Sequence, residues 1–246
     1  MRDKQIVLSK RLQMLADMVT LGNRLVDVGC DHGFLSICLV QQGVCPRALA
    51  MDVRTGPLAA AKEHIAQNAL QEQITTRLSD GLCAYQDGEA DTVVIAGMGG
   101  RLMAKILSDS IDKAVKFSEL ILQPQSELAE FRRFLRAEGF CIVAENAVLE
   151  DGKYYFAMKA EYAPWKTSAK TPAPEDGRRQ DLTDEYGELL LEQKHPVLQQ
   201  YLTFRREVLR RLLEQLTKEQ TDRTRQRLVE VEGELALVEW ALSRFE

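Results

Sequence analysis

The sequence predicts an α/β fold, with a mostly parallel sheet that ends in an antiparallel hairpin and a C-terminal α-helical, coiled-coil-like extension. Three observations carry this prediction. Short apolar runs bounded by Gly, Pro or Asp alternate with stretches of helical spacing in the N-terminal part of the chain. Asp151-Gly152 joins two extended segments, which is a strong hairpin signal. Beyond these segments apolar residues recur at helical spacing.

The apolar runs predict five strands, at residues 25–28, 48–53, 74–78, 92–96 and 120–122. Helical spacing predicts an amphipathic segment before the first strand and four later helices, at residues 9–19, 34–42, 57–68, 101–111 and 126–138. The extended segments 141–149 and 154–162 form the hairpin. Five alternating strand–helix units and this hairpin define a first domain over residues 1–162.

The remaining residues predict a linker and a helical hairpin. Residues 163–180 hold three prolines among small and charged residues, which is typical of a linker. Residues 184–220 and 222–245 carry apolar side chains at helical spacing, with His195-Pro196 as a kink or break. Two antiparallel helices that pack on each other, within residues 181–246, are the simplest interpretation.

The composition indicates a folded protein. The chain has 246 residues, of which 45% are hydrophobic and 28% charged, and this excludes collagen-like and low-complexity classes. We expect a cytoplasmic protein, because the sequence has no apolar stretch of about 18 residues and no N-terminal secretory signal. The five cysteines form no Cys-x-x-Cys, which favours reduced thiols and no metal site. The net charge of -5 excludes bulk electrostatic attraction to nucleic acid, so such a partner must meet a local face.

The turn after the first predicted strand, Asp27-Val28-Gly29-Cys30-Asp31-His32-Gly33, is where doubly wound folds bind a nucleotide-like ligand. It differs from the dinucleotide fingerprint Gly-x-Gly-x-x-Gly, because Asp31 replaces the second glycine. Two carboxylates disfavour a pyrophosphate and suit a ligand with a cationic end, such as an ammonium or sulfonium group.

Acids also follow the next two strands. Asp52 lies 19 residues past Gly33, close to the spacing of an acid that accepts from ribose hydroxyls; a helix N-cap or a solvated turn residue is an equal alternative. Asp80, in Ser79-Asp80-Gly81-Leu82, is placed to accept from an exocyclic amine. Since the carboxyl ends of parallel strands meet at one edge of the sheet, these acids together predict a cofactor site.

Glycines and amides follow the fourth and fifth strands. Gly97-Met98-Gly99-Gly100 allows a planar group to approach the backbone, with Met98 against it; the alternative is a tight strand-to-helix turn with Met98 in the core. Gln123 and Gln125 either read the edge of a base or cap the following helix.

These features resemble the class I S-adenosylmethionine-dependent methyltransferases. Narrower strings are similar to those of the bacterial tRNA (adenine(22)-N1)-methyltransferase family over residues 8 to about 160; they are Leu8-Ser9-Lys10-Arg11-Leu12, Asp27-Val28-Gly29-Cys30-Asp31-His32, Asp80-Gly81-Leu82, Ile95-Ala96-Gly97-Met98-Gly99-Gly100, Leu120-Ile121-Leu122-Gln123-Pro124 and Glu150-Asp151-Gly152-Lys153. The helical extension fits this family in kind and place. The resemblance implies a Rossmann-like sheet, S-adenosyl-L-methionine as cofactor with S-adenosyl-L-homocysteine as product, and methylation of N1 of adenine 22 in tRNA.

The resemblance also implies roles for individual residues. The implied cofactor-binding residues are Asp27, Gly29, Cys30, Asp31, His32, Gly33, Asp52, Val53, Asp80, Gly81, Leu82, Ala96, Gly97 and Met98. Among them, Asp31, His32, Gly97 and Met98 are the candidate catalytic residues. Two positions depart from the family pattern: Cys30 stands where serine is expected, and Gly33-Phe34 where alanine-tyrosine is commoner. The thiol keeps a weak donor, whereas the lost tyrosine hydroxyl bears on the target base.

The expected partner is tRNA, without membrane or metal, and a monomer is favoured. A base inside folded RNA must be unstacked, and Phe34 and Met98 are candidates for the platform that receives it. The expected RNA contacts are Lys10, Arg11, Phe34, Arg101, Gln123, Gln125, Arg205, Arg206 and Arg210. For the last three, together with Arg211, the alternative is a solvated helix face, since Glu207 and Glu214 are interspersed with them.

Two other functions remain open from the sequence. One is a class I methyltransferase that acts on a small molecule or a protein, which the overall acidity favours. The other is a noncatalytic cofactor-binding assembly protein whose C-terminal helices recruit a partner.

Overall fold

The protein is described from a computed structural model, which covers residues 6–167, 177–218 and 222–246. The chain divides into two compact units, Met1–Thr171 and Pro172–Glu246. The first unit contains the sheet and the second is helical. Within the described ranges no helix is long and apolar enough to cross a membrane.

One mixed sheet of seven strands organises the first unit. The strands are β1 (Leu25–Val28), β2 (Ala48–Asp52), β3 (Ile74–Leu78), β4 (Thr92–Met98), β5 (Glu119–Pro124), β6 (Phe140–Glu150) and β7 (Lys153–Tyr162), in the order β3-β2-β1-β4-β5-β7-β6. Strands β1 to β5 are parallel, whereas β7 is antiparallel to β5 and β6. Asp151 and Gly152 close the hairpin with φ of 49° and 75°. The predicted α/β fold with a terminal antiparallel hairpin is confirmed.

Helices cover both faces of this sheet. They are α1 (Lys10–Met18), α2 (Phe34–Gln41), α3 (Thr55–Gln67), α4 (Gly100–Ser108), α5 (Ile111–Ala114), α6 (Leu128–Ala137) and α7 (Pro164–Thr167). Successive strand residues point to opposite faces. Leu25 therefore lies in one core with Leu15 of α1 and Ile65 of α3, and Val26 lies in the other core with Met103 of α4 and Phe131 of α6. Burial on both faces explains why β1 is apolar apart from Asp27.

One prediction for this unit is wrong. No helix lies between β3 and β4, where residues 79–91 form turns, so the strand–helix alternation is interrupted once. Here the Ser79 hydroxyl donates to the Gly81 carbonyl at 2.8 Å and accepts from the Ala84 N–H at 3.1 Å, and these bonds stabilise a turn in place of a helix. The helix expected at 101–111 is present as α4 and ends three residues early; Ser110, with φ of -136° and ψ of 38°, separates it from α5.

The second unit contains four described helices rather than two. They are α8 (Gly177–Tyr186), α9 (Glu188–Glu192), α10 (Pro196–Leu216) and α11 (Asp222–Ser243). Positive φ angles at Gly187 and Lys194, 87° and 49°, divide the helix expected at 184–220. The break at His195-Pro196 is present, and Pro196 begins α10. Helices α10 and α11 pack on each other and bury Leu202, Leu209, Val231 and Val238.

The ends of the predicted linker at 163–180 contain α7 and the start of α8. Residues 168–176 of that stretch, and residues 219–221 between α10 and α11, lie outside the described residues. The proposed bounds of the two domains and of the linker stay a prediction.

Glu119, the first residue of β5, joins several elements through buried hydrogen bonds. It accepts from the Thr20 N–H and hydroxyl at 2.9 and 2.6 Å, from the Thr92 hydroxyl at 2.7 Å, and pairs with Lys159 of β7. Burial alone would raise its pKa, but the hydrogen bonds from Lys159, Thr20 and Thr92 leave the pKa below its ordinary value. The carboxylate therefore remains ionised in the folded state.

We expect Glu119→Ala to lower the free energy of unfolding by about 3–5 kcal/mol, because Lys159 loses the anion with which it is paired and buried donors lose their acceptor. Urea unfolding of the two proteins measures the loss. Asp109→Ala is the matched control, since it removes the exposed Asp109–Lys105 pair and should cost no more than about 1 kcal/mol. Equal losses in the two variants would contradict the assigned role of Glu119.

Candidate active site

A cavity of about 550 Å³ lies at the carboxyl ends of the parallel strands. The strand order reverses between β1 and β4, and such switch points are where doubly wound folds bind ligands. The predicted site residues that line this cavity are Arg11, Asp27, Gly29, Cys30, Asp31, His32, Phe34, Asp52, Val53, Asp80, Gly81, Ala96, Gly97, Met98 and Gln125. Most residues that the sequence singled out are therefore brought together by the fold.

The turn after β1 has a constrained backbone. Gly29, Asp31 and Gly33 have φ of 74°, 51° and 72°, a region that glycine adopts without strain and aspartate tolerates. The N–H groups of Gly29 and Cys30 donate to the Met51 carbonyl at 2.8 and 2.9 Å, so β2 fixes this turn. Gly33 precedes α2 as its N-cap and does not line the cavity; a Cβ there would lie 3.2 Å from the Cβ of Ala61. Gly33 thus permits close packing of α2 on α3.

Asp27 brings a buried negative charge to the cavity. Only 5% of the residue is exposed, and its Oδ2 accepts from the Ser36 hydroxyl at 3.0 Å. Burial raises the pKa of Asp27 to about 6; the Ser36 hydrogen bond opposes this change, and the charges of Asp52 and Asp31 add to it. A cationic group of a ligand would stabilise this carboxylate. Burial and the same acids also raise the pKa of the Cys30 thiol, which therefore stays protonated.

We expect Asp27 to make the cofactor-free fold less stable as the pH rises. Its folded pKa of about 6 exceeds the ordinary value of 3.8, so its stabilisation is complete below 3.8 and is lost as the pH rises through 6. The loss amounts to about 3 kcal/mol at neutral pH. Asp27→Asn removes this titration, so it should raise the melting temperature relative to wild type more at pH 8 than at pH 5. Thermal denaturation at both pH values is the measurement, and an equal shift at both would contradict the assignment.

Asp52 is a second buried carboxylate, with 4% of the residue exposed. Its Oδ1 accepts from the Arg54 N–H at 2.8 Å and its Oδ2 accepts from the Asp31 N–H at 3.4 Å. The N-cap position of α3 belongs to Arg54, so the N-cap alternative for Asp52 is wrong. The backbone bonds fix the carboxylate, and its remaining acceptor positions suit a pair of hydroxyl donors.

The turn after β3 brings Asp80 and Gly81 to the cavity. Gly81 has φ of 53°, and a Cβ there would lie 2.8 Å from Cγ2 of Ile106, so glycine lets α4 approach. Ile106 and Leu102 of α4 also line the cavity, and the sequence reasoning missed both; their helical spacing of four residues is the signal that would have found them. Leu82 is 1% exposed and lies in the core rather than on the cavity.

The glycines after β4 have different roles. Gly97, with φ of 76°, lines the cavity, and a Cβ on Gly29 would lie 2.3 Å from Cε of Met98. Met98 therefore contacts the turn after β1 while it also packs on the core. Ser126 packs closely on the next two glycines. A Cβ on Gly100 would lie 2.6 Å from the Ser126 carbonyl oxygen, and a Cβ on Gly99 would lie 3.1 Å from the Ser126 Oγ. Gly99 and Gly100 thus allow packing of the chain, whereas Gly97 faces the ligand space.

Arg11 of α1 closes the cavity beside Gly97. Its Nη1 donates to Oε1 of Gln123 at 3.1 Å, and its guanidinium carbon lies 5.7 Å from the ring centre of Tyr155 on β7. A Cβ on Gly97 would lie 3.4 Å from this Nη1. Gln123 does not line the cavity and is fully buried. Arg11, which the sequence predicts as an RNA contact, is part of the wall of the cavity.

Three rings form a stack at the cavity. Phe34 lies 5.6 Å from His32 and 4.8 Å from His64 between ring centres, with interplanar angles of 25° and 21°. Nδ1 of His64 lies 3.0 Å from the His32 carbonyl oxygen, which ties α3 to the turn after β1. No pattern in the sequence indicates this link, because the two segments meet only in the folded chain.

The other predicted RNA contacts lie outside the cavity. Lys10 and Arg101 do not line it, and Nε of Arg101 lies 3.6 Å from Glu127. In the second unit, Arg205 donates to Glu234 of α11 at 2.9 Å, and Arg210 donates to Glu239 of α11 at 2.8 Å. Nε of Arg206 lies 3.8 Å from the carboxylate of Glu207. The predicted basic cluster is therefore partly neutralised by acids.

The side chains that line the cavity fit the cofactor that the resemblance implies. Asp27 and Asp31 are acids that suit an ammonium or sulfonium group, Asp52 has acceptor positions that suit ribose hydroxyls, and Leu102 and Ile106 are apolar side chains that suit a purine ring. Across the residues that the structure describes, no group of three or more His, Cys, Asp or Glu is arranged to hold a metal ion.

Comparisons with known proteins agree with this fold. The family model described as a methyltransferase domain matches residues 8–158. A tRNA (adenine(22)-N(1))-methyltransferase of Bacillus subtilis is 37% identical over 157 residues, which are 64% of this chain and 66% of that protein. The aligned part thus spans slightly less than two thirds of that relative.

Two crystal structures resemble nearly the whole chain. A putative tRNA (m1A22) methyltransferase of Streptococcus pneumoniae has a TM-score of 0.82 and 33% identity, and the match covers 96% of this chain and 100% of that one. Its complex with S-adenosyl-L-methionine has a TM-score of 0.79 and 32% identity, with the same coverage. The fold, the cavity and the family model therefore define a Rossmann-like, S-adenosylmethionine-dependent methyltransferase.

More narrowly, the chain belongs to the tRNA (adenine(22)-N1)-methyltransferase family. This confirms the family and the cofactor that the sequence motifs implied. The roles of the individual site residues stay predictions, which the cavity supports for those that line it.

Proposed function

We propose that the protein transfers the methyl group of S-adenosyl-L-methionine to N1 of adenine 22 in tRNA, giving N1-methyladenosine. The observation that carries this proposal is one cavity in which the acids suited to the cofactor meet Gly97, Met98 and Phe34, which suit a planar base. Membership of the family supports the same reaction.

Positioning is the main contribution of the protein to this reaction. N1 of adenine has an available lone pair at neutral pH, so the step needs little help from a general base. S-adenosylmethionine, when bound, supplies an electrophilic methyl group. Phe34 and Met98 receive the unstacked base, and the stacking of Phe34 on His64 holds the ring of Phe34 in place. Gly97 carries no side chain, so the base can approach the backbone at the end of β4.

Acidic side chains stabilise the charge that forms on the base. The methylated adenine is a cation, and a fixed carboxylate lowers the energy of such a charge as it develops. Asp31 suits this role because its side chain is 66% exposed, at the surface of the cavity, and its Oδ1 lies 3.8 Å from Nε2 of His32. His32 acts as a hydrogen-bonding wall rather than as a proton acceptor.

We further propose that the enzyme acts as a monomer in the cytoplasm, with the methyltransferase domain at 1–162, a linker at 163–180 and a helical extension at 181–246. A tRNA substrate supports the cytoplasm, where bacterial tRNA is held.

The test is transfer of a labelled methyl group from S-adenosylmethionine to unmodified tRNA, followed by nucleoside analysis. We expect N1-methyladenosine with tRNA that carries adenine at position 22, and none when that adenine is replaced by uracil. Transfer that persists after the replacement would refute the site. Binding of the cofactor without any transfer to tRNA would refute the substrate and favour a small molecule or protein.

A further inference from the structure

Two glutamines lie near the end of β5, and only one has an amide available to a ligand. Gln123 is fully buried; its Oε1 accepts from Arg11 and its Nε2 donates to the Pro124 carbonyl at 3.3 Å. Gln125 is exposed and lines the cavity. Within the described residues its side-chain amide forms no hydrogen bond, so its donor and its acceptor both remain for a ligand.

The backbone fixes Gln125 beside the end of β4. Its N–H donates to the Met98 carbonyl at 2.8 Å, which ties it to the residue predicted to contact the base. A Cβ on Gly97 would lie 3.8 Å from Nε2 of Gln125, so the missing side chain of Gly97 leaves space directly in front of this amide. A planar group that enters beside Gly97 therefore meets the Gln125 amide with one edge.

We infer that Gln125 determines the specificity for adenine, by pairing its amide with the N6–N7 edge of the target base; this rests on the proposed tRNA reaction. The amide oxygen accepts from the N6 amine, the amide nitrogen donates to N7, and N1 on the neighbouring edge stays free for methylation. Guanine presents two acceptors on this edge, O6 and N7. The amide oxygen, itself an acceptor, would then face the guanine O6 without a hydrogen bond.

Arg11 is the other polar side chain beside Gly97, and its chemistry differs. A guanidinium offers donors alone, and donors at this edge favour guanine over adenine. Its Nη1 is already engaged by Gln123, and its guanidinium lies over Tyr155. Arg11 shapes the wall of the cavity, and the Gln125 amide supplies the pattern that matches adenine.

The experiment removes a hydrogen-bonding group from each partner. Two tRNAs are compared, with adenosine or 7-deazaadenosine at position 22, which differ at the N7 acceptor. Methyl transfer is measured as kcat/KM with wild type, Gln125→Leu and Gln125→Glu; Gln71→Leu, an exposed glutamine outside the cavity, is the matched control. The change from N7 to C–H alters the reactivity of the ring equally for every enzyme. The interaction between residue 125 and N7 is therefore obtained by dividing the adenosine to 7-deazaadenosine ratio of kcat/KM for wild type by the same ratio for the variant.

The 7-deaza change should lower the kcat/KM of wild type and of Gln71→Leu by a factor about ten times larger than the factor for Gln125→Leu. Gln125→Leu should lower kcat/KM on the adenosine tRNA by about 10- to 100-fold. Gln125→Glu keeps an acceptor for N6 but places a second carboxylate oxygen against the N7 acceptor, so it should lose no more activity on the 7-deaza tRNA than Gln125→Leu does.

Equal 7-deaza effects in wild type and both Gln125 variants would overturn the inference while the proposed function stands. A 7-deaza effect that is lost in Arg11→Met instead would assign the base edge to Arg11 and overturn it as well. Absence of transfer by wild type to the adenosine tRNA would overturn the proposed function itself, so the two failures are distinguishable.

Discussion

Asp52→Ala is expected to weaken the binding of S-adenosylmethionine by about 100-fold or more. The carboxylate is buried at the end of β2, and backbone N–H groups of Arg54 and Asp31 hold it in one orientation. A pair of hydrogen bonds from ribose hydroxyls to such a fixed, charged acceptor contributes about 1.5–3 kcal/mol each, and both are lost together. Asp52→Asn keeps one acceptor oxygen, so its affinity for the cofactor should lie between those of wild type and Asp52→Ala.

Isothermal titration with the cofactor measures this effect, and circular dichroism checks that the variants fold. Asp109→Ala, which lies on the surface outside the cavity, is the control and should bind with wild-type affinity. Equal cofactor affinity in wild type and Asp52→Ala would remove Asp52 from the ribose site.

A chain that ends at Thr171 is expected to bind the cofactor almost as wild type does and to lose tRNA methylation by about 100-fold. All residues that line the cavity belong to the first unit, so the cofactor site does not depend on the helices that follow. The second unit adds exposed basic side chains, among them Arg210 and Arg211, and contacts to phosphates carry much of the affinity for nucleic acid.

Cofactor titration and single-turnover methyl transfer on the same preparation separate the two effects. A full-length Arg211→Glu variant provides a second measurement with the fold intact, and it should weaken tRNA binding most at low salt. Full tRNA turnover by the shortened chain would refute a role of the second unit in substrate binding.

The sheet domain was largely predictable because its signals are local. Each parallel strand is a short apolar run between breakers, and β1 and β3 have the predicted bounds. The Asp151-Gly152 turn predicted the antiparallel hairpin from two residues. The errors occurred where a local contact or backbone angle overrides the periodicity. Hydrogen bonds of the Ser79 hydroxyl stabilise a turn after β3 where a helix was expected, and positive φ angles at Gly187 and Lys194 divide a long amphipathic stretch.

The site was predictable as a set of strand ends, but its internal contacts were not. Asp27, Asp52 and Asp80 lie at or just beyond the carboxyl ends of successive parallel strands, and topology alone brings them to one cavity. In contrast, Gly100 is required by the Ser126 carbonyl, and Arg205 pairs with Glu234, which lies 29 positions further along the chain. Such pairs leave no mark in spacing or composition, because tertiary packing alone decides them.

The contact between Gly29 and Met98 has an evolutionary consequence. A Cβ at position 29 would lie 2.3 Å from Cε of Met98, so the turn after β1 and the end of β4 are in direct contact. Cε is the far end of a flexible side chain and can move aside, whereas the φ of 74° at position 29 is a backbone conformation that residues with a side chain rarely adopt. Relatives should therefore retain glycine at position 29 and tolerate other side chains at position 98.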